Sequence, residues 1–167
     1  MALYFIIGYM GSGKSTVAKK MATLLNYQLI DLDTYIENEQ QQTIAELFES
    51  AGEKEFRAIE HGSLKKLMSS KNTIIACGGG TPCYFNNVEL MNLHGITIYI
   101  QMETEALVKR LINANSKRPL IANKSEAELR IFINEQLKVR APFYERAHYI
   151  VNGINLNAKE LIAIANK

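Results

Sequence analysis

The chain has 167 residues, of which 47% are hydrophobic, and its 19 Lys and Arg against 17 Asp and Glu give a formal net charge of +2. This length fits one domain that buries about 70% of its unfolded surface. So small a net charge excludes the strongly basic surface that binds nucleic acids or acidic membranes, and we expect neither partner. We expect a cytoplasmic protein, because no apolar run approaches a membrane span and the first apolar run leaves no room for a leader peptide.

Apolar strands and amphipathic helices alternate along the chain. The predicted strands are residues 3–7, 27–30, 73–77, 96–100 and 149–151. Helical spacing predicts helices at residues 16–25, 34–40, 44–50, 53–68, 88–93, 104–113, 126–146 and 158–165. This alternation predicts a three-layer α/β/α fold around a central five-stranded parallel sheet.

Local signals mark where some of these helices begin and end. Two pairs have the spacing of a capping box, Thr43 with Glu46 and Ser125 with Glu128. Pro142 lies inside a predicted helix, so we expect a kink or a break at the residue before it.

The segment at residues 113–124 is polar and has no sustained period. It is predicted to be a loop, and loops of this length are often active-site lids. A lid would exclude water that otherwise accepts a transferred phosphate, whereas the alternative is a plain surface connection.

The first strand runs directly into a phosphate-loop motif, Gly8-Tyr-Met-Gly-Ser-Gly-Lys14-Ser15-Thr16. Such a loop turns backbone N–H groups toward the phosphates of a nucleotide, its lysine reaches the β- and γ-phosphates, and its serine can bind Mg²⁺. The alternative is a glycine-rich turn with an incidental lysine. The residues predicted to bind the nucleotide are Gly11, Ser12, Gly13, Lys14, Ser15 and Thr16.

Unusual residues also follow the second and third predicted strands. Asp31 and Asp33 follow the second, and three glycines, Gly78 to Gly80, follow the third. Ligands bind beyond the carboxyl ends of parallel strands, so these residues are expected to meet the phosphate loop in one cleft. Asp31 can orient Mg²⁺ through a water, and Asp33 can accept a hydrogen bond or a proton from a substrate hydroxyl. The alternative for both the aspartates and the glycines is simple turn geometry.

Taken together, these features resemble the shikimate kinase family over nearly the whole chain. The ordered set that carries the resemblance comprises the phosphate loop with Met10, Asp31, Asp33, Phe56, Arg57, Glu60, Gly78, Gly79, Gly80, Arg118, Pro119, Arg140, Pro142 and Tyr144. Cys77 departs from the pattern, since many members carry a hydroxyl residue there, and the sequence Thr81-Pro82-Cys83 is an unusual continuation.

The resemblance implies a fold and an activity. It implies one P-loop kinase domain over residues 1–167, with a helical substrate-binding insertion at about 33–61 and a lid at about 113–124. The implied reaction transfers the γ-phosphoryl group of ATP to the 3-hydroxyl of shikimate, with Mg²⁺ bound by Ser15 and Asp31. We expect the enzyme to be a monomer.

The resemblance also implies roles for individual residues. Arg57 and Arg140 match the residues that hold the substrate carboxylate, and Glu60 matches one that positions Arg57. Asp33 matches the residue that binds ring hydroxyls, and the substrate site is completed by the glycines Gly78, Gly79 and Gly80.

The resemblance implies that two further arginines bind the nucleotide. Arg118 matches a lid arginine that closes over the phosphates, and Arg110 matches a residue that packs against adenine. The catalytic residues are therefore expected to be Lys14, Asp33 and Arg118.

Two alternatives stay open at this point. Another P-loop kinase, for gluconate or a nucleotide, would keep the loop but need different acceptor groups. A non-catalytic ATP-binding switch would bind ATP and Mg²⁺ without any acceptor, and it would have no use for Asp33, Arg57 and Arg140.

Overall fold

The computed structural model describes residues 2–114 and 121–166, and these form one parallel sheet with helices on both faces. The strands are β1 (Leu3–Ile7), β2 (Gln28–Asp31), β3 (Thr73–Ala76), β4 (Ile96–Gln101) and β5 (Tyr149–Asn152). They pair in the order β2-β3-β1-β4-β5, and every pairing is parallel. All carboxyl ends therefore lie at one edge, where the loops after β1, β2 and β3 meet.

The helices form a layer on each side of this sheet. They are α1 (Lys14–Leu25), α2 (Leu32–Gln40), α3 (Ile44–Leu67), α4 (Asn87–His94), α5 (Thr104–Asn113), α6 (Glu126–Tyr144) and α7 (Ala158–Ala165). Alternate residues of β1 enter two separate cores: Tyr4 and Ile6 pack with α1 and α7, whereas Phe5 packs with residues of α2 to α6. The three-layer α/β/α prediction is confirmed.

Most of the predicted element boundaries agree with the structure within two residues. Both capping boxes are formed, since the Thr43 hydroxyl accepts from the Glu46 N–H and the Ser125 hydroxyl accepts from the Glu128 N–H. The two helices predicted at 44–50 and 53–68 appear as the two segments of α3, which meet at Gly52 with φ 80° and ψ 170°.

The expected break before Pro142 is wrong. Helix α6 continues through Pro142 and ends at Tyr144. A proline there removes only one backbone hydrogen bond in the final turn, where the helix is about to end. The predicted helix was also too long, because Arg146 lies beyond its end.

Part of the predicted lid lies outside the described residues. Helix α5 ends at Asn113, and residues 115–120, which include Arg118, lie outside the described residues. The lid at 113–124 and the substrate-binding region at 33–61 stay predictions, as does the single domain over 1–167. Within the described ranges, no helix combines the length and the apolar character needed to cross a membrane.

Candidate active site

The phosphate loop connects β1 to α1 and leaves the start of α1 open. Gly13 precedes this helix with φ 93° and ψ 14°, a left-handed conformation that glycine adopts without strain. No side chain caps the helix, and its first turn carries no acidic residue. The first N–H groups of α1 are thus available to an anion, and the helix dipole favours one there.

Two polar side chains of the loop are buried. Lys14 is 9% exposed, and its Nζ donates a hydrogen bond to the Tyr9 carbonyl at 2.8 Å. Ser12 is 1% exposed, and its buried hydroxyl has no hydrogen-bond partner among the described residues. An unsatisfied buried hydroxyl costs about 1–3 kcal/mol, which favours a ligand that supplies the missing partner.

An open cavity of 720 Å³ lies beside the loop. It is lined by Gly11, Gly13, Lys14, Ser15, Thr16 and, from α5, Arg110. An adjoining cavity of 330 Å³ is lined by Ser12, Arg110 and the loop after β5. The structure therefore brings all of the described residues predicted to bind the nucleotide around two neighbouring cavities.

Arg110 lies between these two cavities and contacts both of their walls. One terminal nitrogen donates to the Gly11 carbonyl at 3.4 Å, and the other donates to the Gly153 carbonyl at 3.3 Å. A Cβ atom at Gly13 would lie 3.3 Å from this guanidinium. Arg110 thus connects the phosphate loop to the loop that follows β5.

The two aspartates at the end of β2 have different environments. Asp31 caps α2 by accepting a hydrogen bond from the Thr34 N–H at 3.1 Å. Asp33 lies in the first turn of α2 and is half-buried. Burial, reinforced by the negative charges of Glu60 and Asp31 and opposed by Lys14, raises the pKa of Asp33 to about 6. A carboxyl with such a pKa accepts a proton far more readily than an ordinary aspartate.

The oxygen donors of Ser15 and Asp31 are of the chemical kind that binds Mg²⁺. The Ser15 hydroxyl is exposed at the start of α1, and the Asp31 carboxylate ends the second strand. Both offer the hard oxygen ligands that Mg²⁺ prefers, and this ion commonly takes only one or two protein ligands beside substrate phosphates and waters. Ser15 and Asp31 are therefore the residues that would hold the ion.

Each of the three glycines after β3 lies against one predicted substrate-binding side chain. A Cβ atom at Gly78 would lie 3.0 Å from Asp33 Oδ1, and one at Gly79 would lie 3.2 Å from Arg140 Nη1. A Cβ atom at Gly80 would lie 2.5 Å from Arg57 Nη2 and 2.7 Å from Nη1. Side chains from α2, α3 and α6 thus converge on one bare backbone segment. The order of the strands predicted this for Asp33, and the resemblance implied it for Arg57 and Arg140.

Arg57 is held on several sides within this group. It is 8% exposed, and its Nη1 donates to Glu60 Oε1 at 2.9 Å. Its Nη2 lies 3.5 Å from Glu53, and its guanidinium carbon lies 4.2 Å from the centre of the Tyr84 ring. Its buried Nε has no hydrogen-bond partner among the described residues.

Arg140 lies against the triple glycine from helix α6. Its guanidinium carbon lies 5.6 Å from the centre of the Tyr9 ring, which belongs to the phosphate loop. One turn later, the Tyr144 hydroxyl donates to the Gly79 carbonyl. Arg140 therefore stands where the phosphate loop, the triple glycine and α6 meet.

Sequence reasoning missed two partners of Arg57. Glu53 lies four residues before Arg57 on one helix, and this spacing alone could have indicated an ion pair. Tyr84 gave no such signal, because the turn after the triple glycine brings it to Arg57 across a long stretch of chain.

Comparisons with known proteins agree over almost the whole chain. A family model described as "Shikimate kinase" matches residues 10–165. The shikimate kinase of Bacteroides thetaiotaomicron is 42% identical over 156 residues, which are 93% of this chain and 89% of that protein.

Solved structures give the same result in three dimensions. A crystal structure of shikimate kinase from Bacteroides thetaiotaomicron superposes with a TM-score of 0.94 at 37% identity and covers 99% of both chains. Shikimate kinase from Acinetobacter baumannii, solved in complex with shikimate, superposes with a TM-score of 0.87 at 31% identity and covers 100% of this chain and 95% of that one.

Proposed function

The chain belongs to the shikimate kinase family, and we propose that it transfers the γ-phosphoryl group of ATP to the 3-hydroxyl of shikimate, yielding shikimate 3-phosphate and ADP. One observation carries this proposal. Asp33, Arg57 and Arg140 surround the bare backbone of the triple glycine, next to the phosphate loop. A cluster of two guanidinium groups and one carboxylate suits a small acceptor that carries both an acid group and hydroxyls.

The two arginines would bind the carboxylate of the acceptor. A planar guanidinium donates two parallel hydrogen bonds to a carboxylate, which fixes the orientation of the bound ring. The pinned position of Arg57 against Glu60 and Tyr84 supports this role, because little side-chain freedom is left to be lost on binding.

Asp33 would bind the hydroxyl that is phosphorylated. In the proposed reaction the 3-hydroxyl oxygen forms a bond to the γ-phosphorus while the bond from that phosphorus to the β,γ-bridging oxygen breaks. The hydroxyl proton passes to the Asp33 carboxylate, and ADP carries away the electron pair of the broken bond. The raised pKa of Asp33, about 6, supports proton acceptance near neutral pH.

The phosphate loop would hold the other substrate. The N–H groups at the start of α1 and the Lys14 ammonium would bind the β- and γ-phosphates, and Arg110 would pack against the adenine. Mg²⁺ held by Ser15 and Asp31 would offset negative charge on the phosphates. Arg118, outside the described residues, stays the predicted lid arginine.

We also propose that the enzyme works as a monomer in the cytoplasm. The cysteines Cys77 and Cys83 are both free thiols, which fits a reducing compartment. The small net charge of the chain supports small-molecule substrates as its main partners. Sedimentation of the purified protein with and without ATP would test the monomer, and a stable dimer would contradict it.

A coupled ADP-release assay tests the proposed activity against its alternatives. With ATP and Mg²⁺ present, shikimate, gluconate and AMP are compared as acceptors, and a reaction without acceptor gives the background. We expect turnover with shikimate to exceed that with gluconate or AMP by more than about 100-fold, because both of those acceptors lack its pairing of a ring carboxylate with ring hydroxyls.

Each alternative gives a different result in this assay. A gluconate or nucleotide kinase would prefer its own acceptor, and a non-catalytic switch would give background ADP release with all three. Phosphorus NMR of the product then identifies the phosphorylated hydroxyl.

A further inference from the structure

The turn that follows the triple glycine contains a buried hydroxyl with a specific partner. This turn, a 3-10 helix at Thr81–Cys83, begins with Thr81, which is fully buried. The Thr81 hydroxyl donates a hydrogen bond to Glu60 Oε2 at 2.7 Å, across 21 positions of sequence. The other oxygen of the same carboxylate accepts from Arg57 Nη1 at 2.9 Å. Thr81, Glu60 and Arg57 therefore form one continuous chain of hydrogen bonds.

Glu60 needs both of these donors. It is 1% exposed, so water cannot satisfy its carboxylate, and a buried charge without partners is strongly unfavourable. Arg57 satisfies one oxygen and Thr81 satisfies the other. With both hydrogen bonds made, the Glu60 carboxylate is held in one orientation, and it holds the Arg57 guanidinium in turn.

The position of Thr81 is itself fixed. Its carbonyl accepts from Asn87 Nδ2 at 2.8 Å, and Asn87 is fully buried. The Asn87 side-chain oxygen lies 2.6 Å from His61 Nδ1 on α3, one residue after Glu60. The Thr81 N–H donates to the Gly78 carbonyl at 3.2 Å, which closes the turn. The hydrogen-bond network therefore begins at Arg57 and ends at His61, and both residues lie on α3.

A second carboxylate, that of Glu53, lies close to the Arg57 guanidinium. Glu53 lies 3.5 Å from Arg57 Nη2, and the side chain of Glu53 is 56% exposed, whereas that of Glu60 is 1% exposed. If the Glu60 carboxylate were free to rotate, the guanidinium could turn toward Glu53 and away from the triple glycine. The Thr81 hydroxyl removes that freedom.

We propose that Thr81 is a positioning residue for acceptor binding. It holds the Glu60 carboxylate, which in turn holds the Arg57 guanidinium against Gly80, in the orientation that receives the carboxylate of the acceptor. The proposal rests on the proposed shikimate kinase activity. It gives a role to the first residue of Thr81-Pro82-Cys83, the segment that is an unusual continuation of the family pattern.

The test compares three variants by steady-state kinetics. Thr81→Val keeps the shape of the side chain but removes the donor, and Thr81→Ser keeps the donor. The matched control is Thr97→Val, since Thr97 is another fully buried threonine whose hydroxyl bonds to Asn92 and His148, with no contact to Arg57 or Glu60.

We expect Thr81→Val to raise the KM for shikimate about tenfold, because one donor of a buried charged network is lost. Its kcat and its KM for ATP should stay within about twofold of wild type, since the substitution alters no residue proposed to bind ATP or to accept the proton. Thr81→Ser should restore the KM for shikimate. Thr97→Val should lower the melting temperature and leave both KM values unchanged.

Three results would overturn the proposal. They are an unchanged KM for shikimate in Thr81→Val, an equal rise in Thr97→Val, and a serine variant no better than the valine variant. If Thr81→Val does not fold, Thr81→Ala takes its place, because it removes the donor without placing an apolar methyl pair against the carboxylate. If neither folds, the serine variant decides, since a KM for shikimate more than about twofold above wild type contradicts a donor role.

A failure of the proposed function gives a different result. A wild-type protein that releases no ADP in response to shikimate refutes the kinase activity itself. A wild-type enzyme with normal turnover and an unaffected Thr81→Val variant refutes only the role of Thr81.

Discussion

The phosphate loop takes its anion-binding groups from a single stretch, Gly8 to Thr16, whereas the acceptor side collects Asp33, Arg57 and Arg140 from three helices. The phosphate loop depends on backbone N–H groups at the start of α1 and on Lys14. The acceptor side depends on side chains that approach the triple glycine closely, and on Glu60, which bonds to Arg57 on its own helix and to Thr81 across 21 positions. The proposed phosphate site is thus formed by residues close in sequence, whereas the proposed acceptor site is assembled by the fold.

The charges of the two sides differ as well. Lys14 and Arg110 make the nucleotide side cationic, which suits a polyphosphate. The acceptor side mixes Arg57 and Arg140 with buried or half-buried carboxylates, which suits a substrate with both an acid and hydroxyl groups. Substitutions on the two sides should therefore separate loss of phosphoryl transfer from loss of acceptor recognition.

The largest expected effect is on the nucleotide side. Lys14→Ala should lower kcat by about 10³-fold or more, since no other described residue of the loop supplies a cation to the γ-phosphate. The coupled ADP assay at saturating shikimate measures it, with Lys19→Ala, an exposed lysine of the same helix, as the control. Retention of more than a tenth of wild-type activity would show that the loop does not act as described.

Asp33→Asn should lower kcat/KM for shikimate by about 100-fold through loss of the proton acceptor. The wild-type enzyme should lose kcat/KM progressively as the pH falls below about 6, because Asp33 is then protonated. The variant should lack this limb of the pH profile, whereas Glu49→Gln, an exposed change on α3, should retain it. A wild-type profile without a limb between pH 5 and 7 would refute Asp33 as the proton acceptor.

The raised pKa of Asp33 also predicts that the folding stability depends on pH. The pKa of Asp33 in the folded protein, about 6, lies above the ordinary value of 3.8, so the unfolded chain ionises first and folding stability falls as the pH rises through that interval. Asp33→Asn removes this penalty. Its melting temperature should exceed that of wild type above pH 6 by a few degrees, and the difference should vanish near pH 4. A variant that is less stable than wild type at pH 8 would contradict burial as the main cause.

A smaller effect is expected from the triple glycine. Gly80→Ala places a methyl group 2.5 Å from Arg57 Nη2 and should raise the KM for shikimate about tenfold by moving the guanidinium. Gly62→Ala is the control: its added methyl meets nothing within 4 Å, and alanine in a helix should stabilise the protein by about 0.5–1 kcal/mol. Thermal melts and kinetics of both variants would check this. An unchanged KM in Gly80→Ala would show that Arg57 need not contact the backbone.

The predictable parts of this molecule are the local ones. The phosphate loop, both capping boxes and the alternation of strands with helices depend on residues close in sequence, and all three are present in the structure. The meeting of Asp33 with Gly78 also followed from sequence, because strand ends in a parallel sheet share one edge.

Sequence reasoning missed some local features and the contacts between residues distant in sequence. Pro142 was expected to kink or break α6, but it lies in the final turn, and the helix continues to Tyr144 with one backbone hydrogen bond fewer. The hydrogen bond from Thr81 to Glu60 spans 21 positions and has no local signature. Arg57 and Arg140 entered only through resemblance to a family, since an arginine on a helix surface looks the same in any sequence.

The separation of the two sides is tested most directly by calorimetric titration of Arg140→Ala with shikimate and, separately, with ADP and Mg²⁺. Because Arg140 lies at the triple glycine, its loss should weaken shikimate binding by about 100-fold and leave ADP binding within about twofold of wild type. Weakened ADP binding with unchanged shikimate binding would contradict the account.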